Sequence, residues 1–329
     1  MSKKVFAISS LSCLILLVFI ISLLSGSNQL SLETFWQIIQ GGGTATQRLL
    51  LINFRLPRTL VAILAGAGLA FAGFLLQGVT RNDLADSSIL GINSGAGLFV
   101  LLYLGFFSDG SRPWLLPLFA SLGSLLAGSV VYLTAHRRHG GITVNRLLLA
   151  GIAVNAGISA LTLFLTVNMS EQTYNFVTSW LAGSIWGVSW QYVLILTVAL
   201  IILLPITLTQ IKALEVLGFG DEAAISLGVK IKNLRQVSLL LAILIAGCCV
   251  SMAGSISFVG LLAPHAAKRL LGSAKISTYL TSGLIGALFV LAGDTLGKNI
   301  LASGEIPAGI LVALIGAPYF VFLLMRKSY

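Results

Sequence analysis

Apolar runs of about twenty residues recur along the chain, the length a helix needs to cross a roughly 30 Å hydrocarbon core. The first, 5–24, follows Lys3 and Lys4. It opens like a secretory signal peptide, but its length favours a membrane span over a cleaved segment. In the next stretch, 30–40, Leu32, Phe35, Trp36 and Ile39 share one helical face. That pattern predicts an interfacial helix, with a helix in a soluble loop as the alternative. Charge-free runs continue at 59–80, 87–108, 113–135 and 147–170.

The interval 172–211 is also uncharged, and its first half carries Tyr174, Trp180, Trp186 and Trp190. Such aromatics suit a membrane–water boundary, leaving 191–211 to span. A charged interval, 212–235, separates it from the next span, 236–255. The run 258–271 is too short to cross and predicts a half-length helix buried in protein. Runs 276–293 and 306–325 complete the chain. The pattern therefore predicts an all-α, polytopic membrane protein of ten helices, one of them short. It forms a single transmembrane domain over 1–329, interrupted by the charged loop 212–235.

Composition agrees. The 329 residues are 57% hydrophobic and only 9% charged, with mean hydropathy +0.99, where a soluble domain carries about a quarter charged residues. A net charge of +10 would point to nucleic acid in a soluble chain; here the placement of the charges decides. With the N-terminus in the cytosol, the outer intervals hold Arg48, Arg55, Arg58, Arg112 and Lys298 of the 20 Lys and Arg, and the other fifteen lie inside. The positive-inside rule then puts both termini and the loop 212–235 in the cytosol, and nucleic acid drops out as a partner. Cys13, Cys248 and Cys249 lie in apolar runs and read as small hydrophobes, not disulfide or metal ligands. His136, His139 and His265 are too scattered for a metal site. No nucleophile triad or phosphate-binding loop appears, so neither catalysis nor a cofactor is expected of this chain.

Within the charged interval, KALEVLGFGDEAAISLGVKIKNLR, sits a short punctuated helix. Gly220 precedes it, Asp221 and Glu222 occupy its first turn, Gly228 can cap it and Lys230 follows. So short a helix is not stable alone in water. Ala223, Ala224, Ile225 and Leu227 therefore need a surface, either the protein's own cytosolic face or the groove of a soluble partner. Gly66 and Ala70, like Gly91 and Gly95, stand four apart and permit close helix packing. Asn155 lies mid-span, facing a pathway or bonding to a neighbouring helix.

From the second span onward the sequence resembles the permease subunits of ABC importers for iron–siderophores, haem and cobalamin, the FecCD-type permeases. The resemblance rests on six collinear segments covering most of 50–326. They are RLPRTLVAILAGAGLAFAGFLLQGVTRNDLADSSILGINSGA (55–96), LLLAGIAVN (147–155), WLAGSIWG (180–187), LGFGDEAAISLGV (217–229), SISFVGLLAPHAAKRLLG (255–272) and EIPAGILVALIGAPYF (305–320). The chain departs from the usual family pattern at Asp83 and Ser87, where relatives carry Pro, and at Leu262 and Ala263, where Ile-Val often precedes Pro-His.

The resemblance implies a cobalamin-importer-like permease fold in the bacterial cell membrane. It also implies a second permease, commonly a different chain in siderophore systems, two cytosolic ATPases and an extracytoplasmic binding protein. It identifies the helix Gly220, Asp221, Glu222, Ala223, Ala224, Leu227, Gly228 with the coupling helix seated in the ATPase. Arg55 and Arg58 correspond to arginines that meet carboxylates of the binding protein, with Lys298 beside them; lipid headgroup anchoring is the alternative. Lys298 follows Asp294 by one helical turn, so the two are expected to pair. Pro264 and His265, with Asn155, are candidates for gating or pathway roles. The cargo implied is an iron(III)–siderophore, with haem or cobalamin as alternatives. An ion-driven carrier would show acids at mid-span, and the ten acids lie in loops or near helix ends. A membrane enzyme would show clustered His and acids within a span.

Overall fold

The computed structural model describes all residues except 1–2, 27, 29, 108–113, 138–140, 168, 273–274, 302–303 and 327–329. Arg112, Arg138, His139 and Lys327, counted above from the sequence, lie outside the described residues. In chain order the α-helices are α1 (Lys3–Leu24), α2 (Leu32–Ile39), α3 (Ala45–Arg48), α4 (Leu56–Thr80), α5 (Ile92–Leu102), α6 (Leu115–Ala135) and α7 (Val144–Thr166). They continue with α8 (Glu171–Leu181), α9 (Trp190–Leu217), α10 (Asp221–Ser226), α11 (Ile231–Ala253), α12 (Val259–Leu271), α13 (Ile276–Ile300) and α14 (Ala308–Arg326). A π-helical stretch, Leu49–Arg55, joins α3 to α4, and another, Tyr103–Phe107, extends α5. The β-structure among the described residues is one antiparallel pairing, His136↔Ile142 and Arg137↔Gly141.

Among the described residues, seven helices are long and apolar enough to cross a membrane. With α5 and its extension, α14 and the 13-residue α12, they make up the ten expected. Two spans outrun their predicted ends. Helix α9 continues to Leu217 and α11 starts at Ile231, so the charged interval narrows to 218–230. Helix α13 runs on to Ile300, through Asp294 and Lys298, because partners inside the bundle neutralise both charges.

Helix α4 is the axis. It packs against α13, α11, α12 and α9, and 78% of its most apolar window is buried, against 11% for α1 and α7. Two apolar helices in lipid gain little by hiding methyl groups from each other, so close backbone contact must hold them. Gly66 of α4 lies against Gly286 of α13, and a Cβ on either would run into the other's carbonyl. Gly95 of α5 meets Gly123 of α6 in the same way, and a Cβ on Gly73 would run into the Gly260 carbonyl of α12. The spacing that marked Gly66 with Ala70 and Gly91 with Gly95 thus falls on real crossings, although the partners Gly286 and Gly123 lie far along the chain.

Gly286→Val is expected to be destabilised by about 3 kcal/mol or more, since a backbone carbonyl cannot move aside. Gly157 of α7 has nothing within 4 Å of a Cβ, so Gly157→Ala should be neutral or stabilising by about 0.5 kcal/mol. Thermal melting of the detergent-solubilised protein compares them; equal melting temperatures would contradict the crossing.

Candidate functional site

Two polar clusters sit at opposite ends of α4. At its C-terminal end, Arg81 adopts a left-handed conformation (φ 50°) and turns the chain off the helix. Its guanidinium reaches the Asp221 carboxylate of α10 at 3.3 Å. Arg235 of α11 reaches both oxygens of the same carboxylate at 3.1 Å. Gly220, with φ 116°, lets α10 turn sharply out of the end of α9. The helix ends where the Leu227 N–H donates to the Ala223 carbonyl and the Val229 N–H to that of Ala224. Gly228 sits at φ 82° with no atom near its Cβ direction, so its requirement is conformational and not steric.

Helix α10 divides its residues between two surfaces. Ala224 is fully buried in the protein's own core, so it seats the helix and does not face a partner, contrary to expectation. Glu222 and Gly228 face outward, and Ala223 is half-buried. Phe219, Ile225 and Leu227 are 76%, 64% and 68% exposed, an apolar crown left uncovered among the described residues. The hydrophobes inside the charged interval were the available signal for that crown, and Phe219, one residue before the punctuated helix, was missed.

Beside this clamp, Pro264 leaves the Gly260 carbonyl of α12 without its helical donor. The Gln77 side chain approaches that carbonyl at 3.5 Å and donates to Leu261 O at 3.0 Å. Lys268 joins the same group, donating to Gln77 Oε1 at 2.9 Å and pairing with Asp83 at 3.0 Å. Asp83, one of the departures from the family pattern, thereby ties the α4–α5 connection to α12. Ser87, the other, donates to Asp86 at 3.4 Å. Burial pushes the Asp86 carboxyl above its ordinary range, opposed by its hydrogen bonds from Ser87 and Ser88. His265 packs edge-on to Tyr319 of α14, ring centres 6.1 Å apart.

At the other end of α4, Arg58 meets Asp294 at 2.7 Å and Glu305 at 2.7 Å. Lys298 completes the set, 3.2 Å from Asp294 and donating to Ser22 of α1 at 2.9 Å. The expected Asp294–Lys298 pair is present. Arg58, 236 residues from Asp294 in sequence, left no local sign of its partnership. The Asp294 side chain is 0% exposed, Lys298 7%, Arg58 15% and Glu305 41%. Arg55 points inward, donating to Leu23 O at 2.7 Å and Leu24 O at 3.1 Å, and also to Asn28 O. The expectation that Arg55 and Lys298 face a docking partner is therefore corrected. Arg55 supplies donors to carbonyls at the end of α1, where helical donors run out, and Lys298 is taken up by Asp294 and the Ser22 hydroxyl. Arg58 alone of the three keeps a path to the surface, through Glu305.

Between the ends, Asn155 donates to Ser88 O at 3.0 Å and accepts from Ser94 Oγ at 2.5 Å. It also lines an open cleft of about 450 Å³ with Asn93, Ser159 and Ser257. Interhelical bonding and an open face are both present. Nearer the Arg58 end, α8 and the α13–α14 connection enclose a second cleft of about 430 Å³.

Arg55→Ala takes a donor from the Leu23, Leu24 and Asn28 carbonyls, of which Leu24 O keeps the Leu30 N–H, and should cost about 1–3 kcal/mol. Thermal melting in detergent reads this directly. An unchanged melting temperature would return Arg55 to a surface role.

The model of the FecCD transport family matches residues 14–326. The chain is 39% identical over 321 residues to the iron(3+)-hydroxamate import system permease protein FhuG of Bacillus subtilis (strain 168), covering 96% of this chain and 95% of that one. It is 42% identical over 276 residues to the Fe(3+)-citrate import system permease protein YfmE of the same organism, covering 84% and 82%. A solved metal-chelate type ABC transporter in an inward-facing conformation superposes with a TM-score of 0.81 at 30% identity, covering 96% of this chain and 98% of that one. Matched from end to end in sequence and in fold, the chain belongs to the FecCD transport family, the membrane-spanning, non-catalytic permease subunits of ABC importers.

Proposed function

We propose that this permease carries an iron(III)–siderophore across the bacterial cell membrane, with α10 and both termini in the cytosol. Its assembly would contain a second permease, two cytosolic ATPases and an extracytoplasmic binding protein. The observation that supports this reading most directly is α10 itself: an apolar crown of Phe219, Ile225 and Leu227 on a helix too short to stand alone. Glu222, Ala223 and Gly228 border the crown, and an ATPase groove would cover it.

Closure of the ATPases would push on α10. The contact of one Arg235 guanidinium nitrogen with both Asp221 oxygens and the contact of Arg81 on Asp221 would pass that push to α11 and α4. A rigid element held from both sides can shift a membrane helix where a loose loop would absorb the motion. Pro264, His265 and Asn155 lie where α12, α14 and α7 would move against one another as access switches. At the other end, a carboxylate of the binding protein would reach Arg58 by competing with Glu305.

In a strain lacking this chain, uptake of radiolabelled iron(III)–hydroxamate should fall and return with the wild-type gene. Ile225→Asp should leave the permease in the membrane, release the ATPase from it on pull-down, and cut uptake at least about tenfold, the equivalent of about 1.4 kcal/mol. Uptake that survives loss of the chain would overturn the importer reading. Wild-type uptake by Ile225→Asp would overturn the role of α10.

A further inference from the structure

Helices α9 and α13 both pack on α4, and along part of their length they leave its surface open between them. Leu64, Ala67 and Phe71 of α4 follow the helical repeat, so they share one face and form the floor of a groove. Leu204 and Leu208 of α9 make one wall, and Tyr279 and Leu280 of α13 the other. The volume between them is about 470 Å³. Leu64 and Ala67 are half-buried, on a helix whose other residues are largely covered.

The lining is hydrocarbon. No charged residue is among the described residues that form it, and its hydroxyls are those of Thr197 and Tyr279. The Tyr279 hydroxyl is already engaged by Thr207, and the Tyr279 ring stacks on Phe71 with centres 4.4 Å apart. Ile201 and Leu280 stand exposed at the rim, continuous with the outward residues Leu194, Val198 and Ile202 of α9. Helix partners in a membrane meet through small residues, whereas this outward face is built of Leu, Ile and Val. Lipid tails therefore suit it better than a second protein does. An unfilled groove would forfeit dispersion contacts along its whole length. From Thr197 to Leu208 the α9 wall rises about 16 Å at 1.5 Å per residue. That is close to one leaflet, half of a roughly 30 Å core.

Two cations stand where the groove ends. Lys212 lies one turn beyond Leu208 on α9, and Lys275 one turn before Tyr279 at the start of α13. A spacing of four keeps each on the groove side of its helix. Both side chains are exposed, and neither has an ion-pair partner among the described residues. Glu215, the nearest acid along α9, is half-buried three residues further on. Lys212 and Lys275 lie at the same end of the bundle as α10.

We infer that this groove holds one acyl chain of an anionic glycerophospholipid from the leaflet on the α10 side, with the lipid phosphate at Lys212 and Lys275. A zwitterionic lipid could seat the same tail but would bring no net charge to the lysines, which attract anionic headgroups at the membrane surface. Because α9 leads directly into α10, a filled groove braces α9 against α4 next to the coupling helix. The inference concerns the lipid-facing side and is independent of the cargo.

The test uses the assembled transporter in phosphatidylcholine vesicles, with phosphatidylglycerol carrying a photoreactive diazirine on one acyl chain. Labelled peptides are mapped by mass spectrometry. Label should fall on the α9 and α13 walls of the groove, at least about tenfold more than with photoreactive phosphatidylcholine. Raised salt should narrow that difference. Ala67→Phe, which fills the floor, should cut groove labelling at least about tenfold while label elsewhere on the lipid-facing helices is unchanged. Ala67→Ser keeps the groove open and should label like the wild type, which separates filling from misfolding. Lys212→Gln combined with Lys275→Gln should abolish the preference for phosphatidylglycerol and leave equal residual labelling by both lipids. An unlabelled groove, the result expected if the second permease covers this side, would overturn the inference. So would equal labelling of the wild type by the two lipids, undiminished labelling of Ala67→Phe, or a preference that survives loss of both lysines. The wild-type comparison of the two lipids decides by itself if Ala67→Phe fails to assemble.

Discussion

Asp294 sits wholly out of solvent within a helix that lipid would otherwise surround. A carboxylate there is tolerable only if its charge is matched by partners it does not lose. Arg58 and Lys298 meet that condition from α4 and from one turn further along α13. The same two cations have second partners: Arg58 reaches Glu305 before α14, and Lys298 reaches Ser22 of α1. One buried charge therefore gathers α1, α4, α13 and the approach to α14 at a single end. The Gly66–Gly286 crossing, lower on the same helix pair, brings the two backbones close enough for these side chains to meet.

Helix α4 connects this cluster with the one at α10. Arg58 lies near its first residue and Arg81 just beyond its last. Its 25 residues are about 37 Å of straight helix at 1.5 Å per residue. Displacement of α10 would act through Asp221 on one end of that rod, while the other end is fixed to α13 by paired charges. Arg235 gives α10 a second outlet, through α11, which also packs along α4. Motion at one face of the membrane thus has a stiff route to the other, with the two clefts alongside it.

Much of this was legible in the residues. The span count, the short α12 and the capped helix at 221–226 follow from apolar run length and from Gly and acid placement. Those signals are local and survive without knowing the fold. Hydropathy ended α13 too early because it treats Asp294 and Lys298 as charges facing water, and their neutralisation depends on an arginine from α4. The family resemblance, with its docking arginines, points Arg55 to the surface. A π-helical stretch, Leu49–Arg55, turns its side chain toward the carbonyls of Leu23, Leu24 and Asn28, and nothing in its sequence neighbourhood announces that turn. Ala224 was grouped with its exposed neighbours because a six-residue helix gives too little periodicity to separate a seated face from a free one. The match of Gly66 to Gly286 and of Gly73 to Gly260 is likewise tertiary; spacing marks small residues but not the helix they meet.

The contact on which the rest depends is that of Asp294 with Arg58. A double-mutant cycle of Arg58→Met and Asp294→Asn, read by equilibrium unfolding in detergent, tests it most directly. Each single variant should lose about 3 kcal/mol or more by leaving a partner unmatched, and the double variant should recover about 2 kcal/mol of the summed loss. Strictly additive losses, or an Arg58→Met variant as stable as the wild type, would contradict it.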